Sequence, residues 1–154
     1  MLFITLVNAI AENLTNKEIT AFMTPHDYEF IESLIRDNIG LLNTIFESIQ
    51  SLESKEGTIC LHDIPCIIHT IIILFRVYLV KNNTTNVSLL GIVKFVIETL
   101  VSNEILKFGD NVLYDDVKSQ IRIAIQLFQT DAKIKMPNSM LHYIKNIFSY
   151  YKKK

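Results

Sequence analysis

The sequence predicts an all-α fold, a single-domain bundle of six or seven helices with a central apolar helix near residues 64–80. Apolar side chains recur at intervals of three and four through most of the chain, which is the spacing of one helix face. No segment alternates apolar and polar residues for long enough to indicate a strand. The 154 residues contain no repeat and no linker rich in proline, glycine or serine, so we expect residues 1–154 to form one helical domain.

The first helix is expected at about residues 2–14, and a second begins at Thr24-Pro25-His26-Asp27. Thr24 suits the capping position because its hydroxyl can accept a free backbone N–H. Pro25 suits the first helical position, and Asp27 lies three residues after the cap, where a carboxylate can bond back to it.

An apolar seam follows this start and keeps one helical phase. It consists of residues three or four apart, one of them polar: Tyr28, Ile31, Ile35, Asn38, Leu42, Ile45, Ile49 and Leu52. The unbroken phase predicts one helix over residues 25–53, with a weak point near Gly40. The alternative is two shorter helices, because residues 37–40 also resemble a helix stop. We expect the seam to be a packing surface, within the fold or between copies.

The most apolar stretch is residues 64–80, with Asp63 and Pro65 at its start. A membrane-spanning helix needs about 20 mostly apolar residues, and this stretch is shorter and contains His69 and Arg76. We expect the other helices to surround it, since a helix that is apolar on all sides belongs in a core. Membrane association is an alternative that we do not favour.

Three further helices are expected in the second half of the chain. The first covers about residues 87–108, with Ser102-Asn103 as a point where it can break. The second covers about residues 114–130, and the last covers residues 140–151. Residues 58–61, before the central helix, look short and extended.

Charge is distributed unevenly along the chain. Residues 1–63 hold ten acidic and three basic side chains, a net charge of −7, whereas residues 64–154 hold six and twelve, a net charge of +6. The halves can neutralise each other within the fold, or can face neighbouring copies or charged partners. A basic tail, which is a solubilising tail or a contact surface, contains Lys145, Lys152, Lys153 and Lys154. Because the isoelectric point is near 6.4 and no nucleic-acid motif is present, we expect no nucleic acid partner.

The densest set of metal-ligand types is Cys60, His62, Asp63, Cys66 and His69. A helix that included His62 would place His62, Cys66 and His69 on one face. However, Pro65 indicates that the helix starts after His62. The spacing corresponds to no common zinc module. We therefore expect two free cysteines in a reducing compartment, a histidine packed in the core, and no metal or other cofactor.

The sequence offers no sign of catalysis. The four glycines are isolated, so they cannot form a phosphate loop, and none frames a nucleophile turn. We expect no catalytic residues and no small-molecule substrate.

Four apolar residues surround a Gly-Asp pair in Val101, Ile105, Phe108, Gly109, Asp110 and Val112. This pattern resembles the BH3 motif of the Bcl-2 family over about twelve residues. The resemblance implies a regulator of apoptosis that works through a helix held in a groove. The family places its motif early in the chain, whereas here only about forty residues follow. A helix end at Gly109 followed by a turn accounts for the same residues.

The mean hydropathy of +0.28 is high for a chain that stays in solution alone. We therefore expect a non-enzymatic structural or scaffolding subunit, with protein partners in a multi-copy or mixed assembly. The many Ile, Asn and Lys residues have A/T-rich codons, which indicates an A/T-rich genome, and large DNA viruses are one source of such genomes. A minor capsid or virion component of a large DNA virus is therefore one subunit of this kind. The alternatives are a small helical binding protein that modulates a host pathway and a membrane-associated helical protein.

Overall fold

A computed structural model describes residues 3–129, which form seven α-helices and one turn of 3-10 helix. In chain order they are α1 (Phe3–Asn13), α2 (Lys17–Thr20), α3 (Pro25–Asp37), α4 (Ile39–Gln50), the 3-10 turn (Leu61–Asp63), α5 (Ile64–Lys81), α6 (Leu89–Ser102) and α7 (Tyr114–Gln129). The predicted all-α bundle is confirmed, with α2 as an additional short helix. The helix expected at 140–151 and the basic tail lie outside the described residues.

The central position predicted for the apolar helix is also confirmed. α5 packs against α4, α6 and α7, and eleven of its 18 residues are buried. In the described part of the chain, Leu61–Lys81 is the one helical segment long and apolar enough to cross a membrane, and 56% of its most apolar window is buried inside the bundle. The need for an apolar helix at the centre of the core therefore accounts for its composition.

The single long helix predicted over residues 25–53 is wrong, and the structure has two helices that meet at Asn38. The backbone of Asn38 leaves the helical region, with φ −139° and ψ 45°. Its N–H still donates to the carbonyl of Leu34 at 3.1 Å and closes α3, while its carbonyl accepts the N–H of Leu41 at 3.3 Å and opens α4. Both helices contact α1, and the break lets α3 also reach α6 while α4 reaches α5. Packing against other helices therefore decides where α3 ends, although the regular apolar spacing continues past that point.

The helix predicted over 87–108 ends at Ser102, at the break point that the sequence indicates. Glu104 has a positive φ of 54°, which turns the chain back toward the bundle. The N–H groups of Ile105 and Leu106 then both donate to the carbonyl of Leu100 at 3.0 Å, and both side chains enter the core. Burial of these two side chains favours a reversal over a longer helix.

The segment expected to be extended, residues 58–61, is so at Ile59 and Cys60, but Leu61 already belongs to the 3-10 turn. The segment is tied to the connection between α6 and α7. Ile59 forms an isolated parallel bridge with Phe108, and its N–H donates to the carbonyl of Lys107 at 2.7 Å. Because Ile59 is itself buried, this bridge fixes the backbone just ahead of the 3-10 turn.

Directional hydrogen bonds hold α6 at two points along its length. At its N-terminal end, the buried carboxylate of Asp27 accepts the N–H of Thr24 at 3.1 Å and the N–H of Ser88 at 2.7 Å. The predicted cap of α3 is thus confirmed, and the same carboxylate joins the starts of α3 and α6. Further along, the buried amide of Asn13 donates to the hydroxyl of Thr99 at 3.0 Å. These bonds set the position of α6 in the bundle.

Candidate functional site

The two helices that follow α5 leave a groove between them. α6 and α7 both pack on α5 and contact each other far less, so their outer faces stay apart. The space between them, which we call the α6/α7 groove, has a volume of about 430 Å³. It is lined by Phe22, Lys94, Ile97, Glu98, Lys118, Ile121, Arg122, Ile125 and Gln126.

The floor of the α6/α7 groove is apolar. Ile97 of α6 is buried, and Ile121 and Ile125 of α7 are half-buried. At the edge lies Phe22, just after the short helix α2, and 45% of this residue is exposed. An apolar floor with an aromatic edge is the composition that protein-binding grooves use to anchor a partner.

The rim of the α6/α7 groove is positively charged. Lys94, Lys118 and Arg122 are exposed, and Glu98 is the one acidic residue of the lining. Within residues 3–129, no carboxylate lies within 4.0 Å of the three cations. The Nζ of Lys118 lies 4.6 Å from the centre of the Tyr114 ring, a favourable contact that brings no negative charge to the rim. The rim therefore attracts acidic groups.

Sequence analysis did not identify this groove, although part of its signal is visible in the sequence. Lys118 and Arg122 are four residues apart, and so are Ile121 and Ile125, so a helix presents the two pairs side by side. The signal was incomplete because Lys94 and Ile97 belong to another helix. Only the packing of both helices on α5 brings the two sets together.

A larger cavity of about 620 Å³ lies between the end of α6 and the start of α7. Three residues of the BH3-like pattern, Val101, Phe108 and Val112, line it, and Ile105 is buried in the core. Only Val101 lies on a helix, because α6 ends at Ser102. The turn predicted at Gly109 is present, but the helix ends before it, and the pattern presents no helix face to a partner.

The apolar seam predicted as a packing surface lies inside the fold. Ile31, Leu42, Ile45 and Ile49 are buried, and the half-buried Tyr28, Ile35 and Leu52 pack against the same core. Asn38 was expected on the seam, but it is exposed because the chain breaks there. The seam is therefore already covered by the chain itself.

The two opposed charges are divided unevenly between the described residues and the rest of the chain. Between residues 64 and 129 there are six basic and five acidic side chains, so this part is nearly neutral. Most of the +6 therefore belongs to residues 130–154, outside the described range, as do all four lysines of the basic tail. The acidic excess of residues 1–63 lies almost wholly in the described part.

The five predicted ligand-type residues separate into two groups. The Sγ of Cys60, a ring nitrogen of His62 and a carboxylate oxygen of Asp63 all lie within 4.8 Å of one another. Cys66 and His69 follow on α5 and are not part of this cluster. The start of α5 at Ile64, as Pro65 indicated, places the first three residues at the 3-10 turn rather than on a helix face.

The environments of Cys66 and His69 suit packing rather than ligation. Burial, and to a smaller extent the negative charge of Asp63, raises the pKa of the Cys66 thiol above its usual value. Burial, with a contribution from the Arg76 cation, lowers the pKa of His69 below its usual value. Both shifts favour the neutral side chain, as expected where burial is the main cause. Cys66 is buried, whereas His69 is only half-buried, so the expectation of a histidine packed in the core is met in part.

Comparison with protein-family models, with curated proteins and with solved structures finds no match for this chain.

Proposed function

We propose that this chain is a non-enzymatic protein-binding module, and that the α6/α7 groove holds an acidic amphipathic helix of a protein partner. The observation that carries the proposal is the set of three uncompensated cations, Lys94, Lys118 and Arg122, around an apolar floor. A partner that satisfies both features needs an apolar stripe flanked by carboxylates.

The dimensions of the groove suit a helix. Its lining on α7 extends from Lys118 to Gln126, eight residues along the axis, which corresponds to about 12 Å at 1.5 Å per residue. Two turns of a partner helix fit this length and present apolar residues at i, i+3, i+4 and i+7 to the floor. The exposed ring of Phe22 at the edge supplies an aromatic contact of the kind that dominates binding energy in such interfaces.

The positive rim makes the groove selective for the sign of its partner's charge. Rim cations contribute modestly to affinity, about 0.2–1 kcal/mol for each exposed ion pair, but they raise the association rate and reject basic sequences. We therefore expect an acidic helix to bind better than a basic helix of the same shape, and we expect added salt to weaken the complex.

The test uses the full chain and a designed fluorescent peptide of about 18 residues, long enough to form a helix, with leucines at helical spacing and glutamates on the flanks. We expect saturable binding by fluorescence anisotropy, weakened about ten-fold or more by Lys118→Glu combined with Arg122→Glu. The matched control is Lys55→Glu combined with Lys81→Glu, which changes the net charge equally at exposed sites outside the groove. Methyl resonances of Ile97, Ile121 and Ile125 should shift on binding.

Three results would contradict the proposal: no saturable binding, equal binding of a lysine-flanked peptide, or equal losses in the groove and control variants. Binding to anionic lipid vesicles with the same dependence on Lys118 and Arg122, without peptide binding, would assign the groove to a membrane surface instead.

A second candidate is a structural or scaffolding subunit in which neighbouring copies supply the acidic partner. The net charge of −7 on residues 1–63 favours it, with Glu29 and Glu32 exposed on α3. Contacts between copies would then join an acidic face to the α6/α7 groove. Sedimentation should show oligomers at low salt that dissociate at high salt without unfolding. A monomer at tens of micromolar and low salt would exclude this candidate.

A further inference from the structure

We propose that Cys60, His62 and Asp63 bind a zinc ion at the start of α5, with one coordination position left for water or an external ligand. These three residues occupy four consecutive positions, and their ligand atoms all lie within 4.8 Å of one another. The inference is independent of the α6/α7 groove, because no residue of the cluster lines that groove.

The spacing is close to that of a bound tetrahedral ion. With zinc about 2.0 Å from nitrogen and oxygen and about 2.3 Å from sulfur, ligand atoms lie about 3.3–3.6 Å apart. A ring nitrogen of His62 and a carboxylate oxygen of Asp63 are already 3.9 Å apart, too far for a hydrogen bond. Movements of about 1 Å close the cluster, and side-chain rotation of Cys60 and His62 can supply them because both are exposed.

The backbone that carries the three ligands is fixed. Asp63 donates its N–H to the carbonyl of Cys60 at 3.0 Å, which closes the 3-10 turn around His62. On the other side of Cys60, the N–H of Ile59 bonds to Lys107 at 2.7 Å. The three ligands therefore project from a turn anchored at both ends, which reduces the ordering cost of binding.

The carboxylate of Asp63 is available for a metal. Asp63 occupies the N-cap position of α5, where an aspartate usually accepts a backbone N–H, but its side chain forms no capping bond here. It is also the least exposed of the three ligands, with 22% of its side chain exposed against 83% for His62. A half-buried carboxylate that does not cap its helix, beside a thiol and an imidazole, is a metal-ligand arrangement.

The donor set selects the ion. Thiolate and imidazole ligands exclude Mg²⁺ and Ca²⁺, which prefer oxygen donors, and favour Zn²⁺. Binding displaces the proton of the Cys60 thiol, so that thiolate, neutral imidazole and carboxylate together balance the two positive charges of the ion. Three protein ligands with an open position correspond to the zinc sites that retain a bound water.

The test titrates the reduced full chain with Zn²⁺ against a chromogenic chelator. We expect one site, with affinity weakened at least ten-fold by Cys60→Ser and by His62→Gln, both of which change exposed side chains and leave the core intact. The matched control is His26→Gln, an exposed histidine outside the cluster. With Co²⁺ as the probe, a thiolate-to-metal absorption band should appear, disappear in Cys60→Ser and persist in Cys66→Ser.

Absence of saturable Zn²⁺ binding would overturn the proposal. So would a stoichiometric site whose affinity is unchanged in the Cys60→Ser and His62→Gln double variant, because the ion would then bind elsewhere on the chain.

Discussion

Replacing Asp27 with alanine tests the junction between α3 and α6 more directly than any other single change. Both oxygens of this buried side chain accept backbone N–H groups, one from Thr24 and one from Ser88. The alanine variant removes both bonds and leaves space at the point where a Cβ added to Gly91 would otherwise meet an oxygen of Asp27.

The expected cost follows from the two bonds. A hydrogen bond to a charged acceptor contributes about 1.5–3 kcal/mol, which applies to the N–H of Ser88 at 2.7 Å. Loss of the capping bond to Thr24 adds about 0.5–2 kcal/mol. We therefore expect Asp27→Ala to lower the free energy of unfolding by about 2–5 kcal/mol. Asp27→Asn should cost less, because its one remaining oxygen can accept either N–H but not both.

Gly91 provides a second, more specific test of the same junction. A glycine inside a helix is normally about 1 kcal/mol less stable than alanine, so Gly91→Ala would stabilise an uncrowded helix. Here the added Cβ would lie 2.9 Å from an oxygen of Asp27 and 3.2 Å from the hydroxyl of Ser88. We expect Gly91→Ala to destabilise the original chain and to be less harmful in the Asp27→Ala background, with a coupling energy of about 1 kcal/mol.

Urea unfolding followed by circular dichroism measures these changes, provided that the dependence on denaturant stays constant. Asp37→Ala is the matched control, because Asp37 is exposed and its pair with Arg36 contributes little. A loss below about 1 kcal/mol in Asp27→Ala, or additive effects of Asp27→Ala and Gly91→Ala, would refute the role assigned to the carboxylate.

Three further predictions concern other parts of the chain. Under native conditions a thiol reagent should modify the exposed Cys60 quickly and Cys66 slowly, since burial raises the pKa of Cys66, and Cys60→Ser should remove the fast phase. The pKa of His69 is lowered in the folded chain, so at acidic pH the unfolded chain binds a proton that the folded chain does not. The free energy of unfolding should therefore fall as the pH drops through about 6.5. His69→Gln should flatten a plot of unfolding free energy against pH between about pH 5 and 7. Thr99→Val should cost about 1–3 kcal/mol in thermal or urea unfolding because it leaves the buried amide of Asn13 without its acceptor, and an unchanged stability would show that this bond does not hold α6.

Local signals in the sequence were sufficient where a short stretch decides the structure. Thr24 and Asp27 form the predicted capping box, and the all-round apolarity of the 64–80 stretch placed α5 at the centre. The stretch around Asn38 carried two contradictory signals, a continuous apolar phase and a helix stop. The contact of α3 with α6 and that of α4 with α5 decided between them, and those contacts cannot be read from neighbouring residues.

The two candidate sites differ in the same way, because a short stretch of sequence contains one of them and distant helices form the other. Cys60, His62 and Asp63 are close in sequence, so their proximity was foreseeable, although the sequence also suggested the more distant Cys66 and His69. The α6/α7 groove depends on how far apart two helices settle on a third one. That distance is set by the side chains of all three helices together, and periodicity along one helix does not reveal it.

Directional hydrogen bonds fix one wall of the α6/α7 groove. α6 is fastened by directional bonds from Asp27 and Asn13, whereas α7 packs on α5 and buries Val117 and Ala124. Apolar contacts tolerate small sliding and rolling movements that a hydrogen bond of fixed length resists. The α6 wall, with Lys94 and Ile97, therefore keeps a set position relative to α1 and α3. Under the proposed function, this wall would be the reference against which an acidic partner helix is aligned.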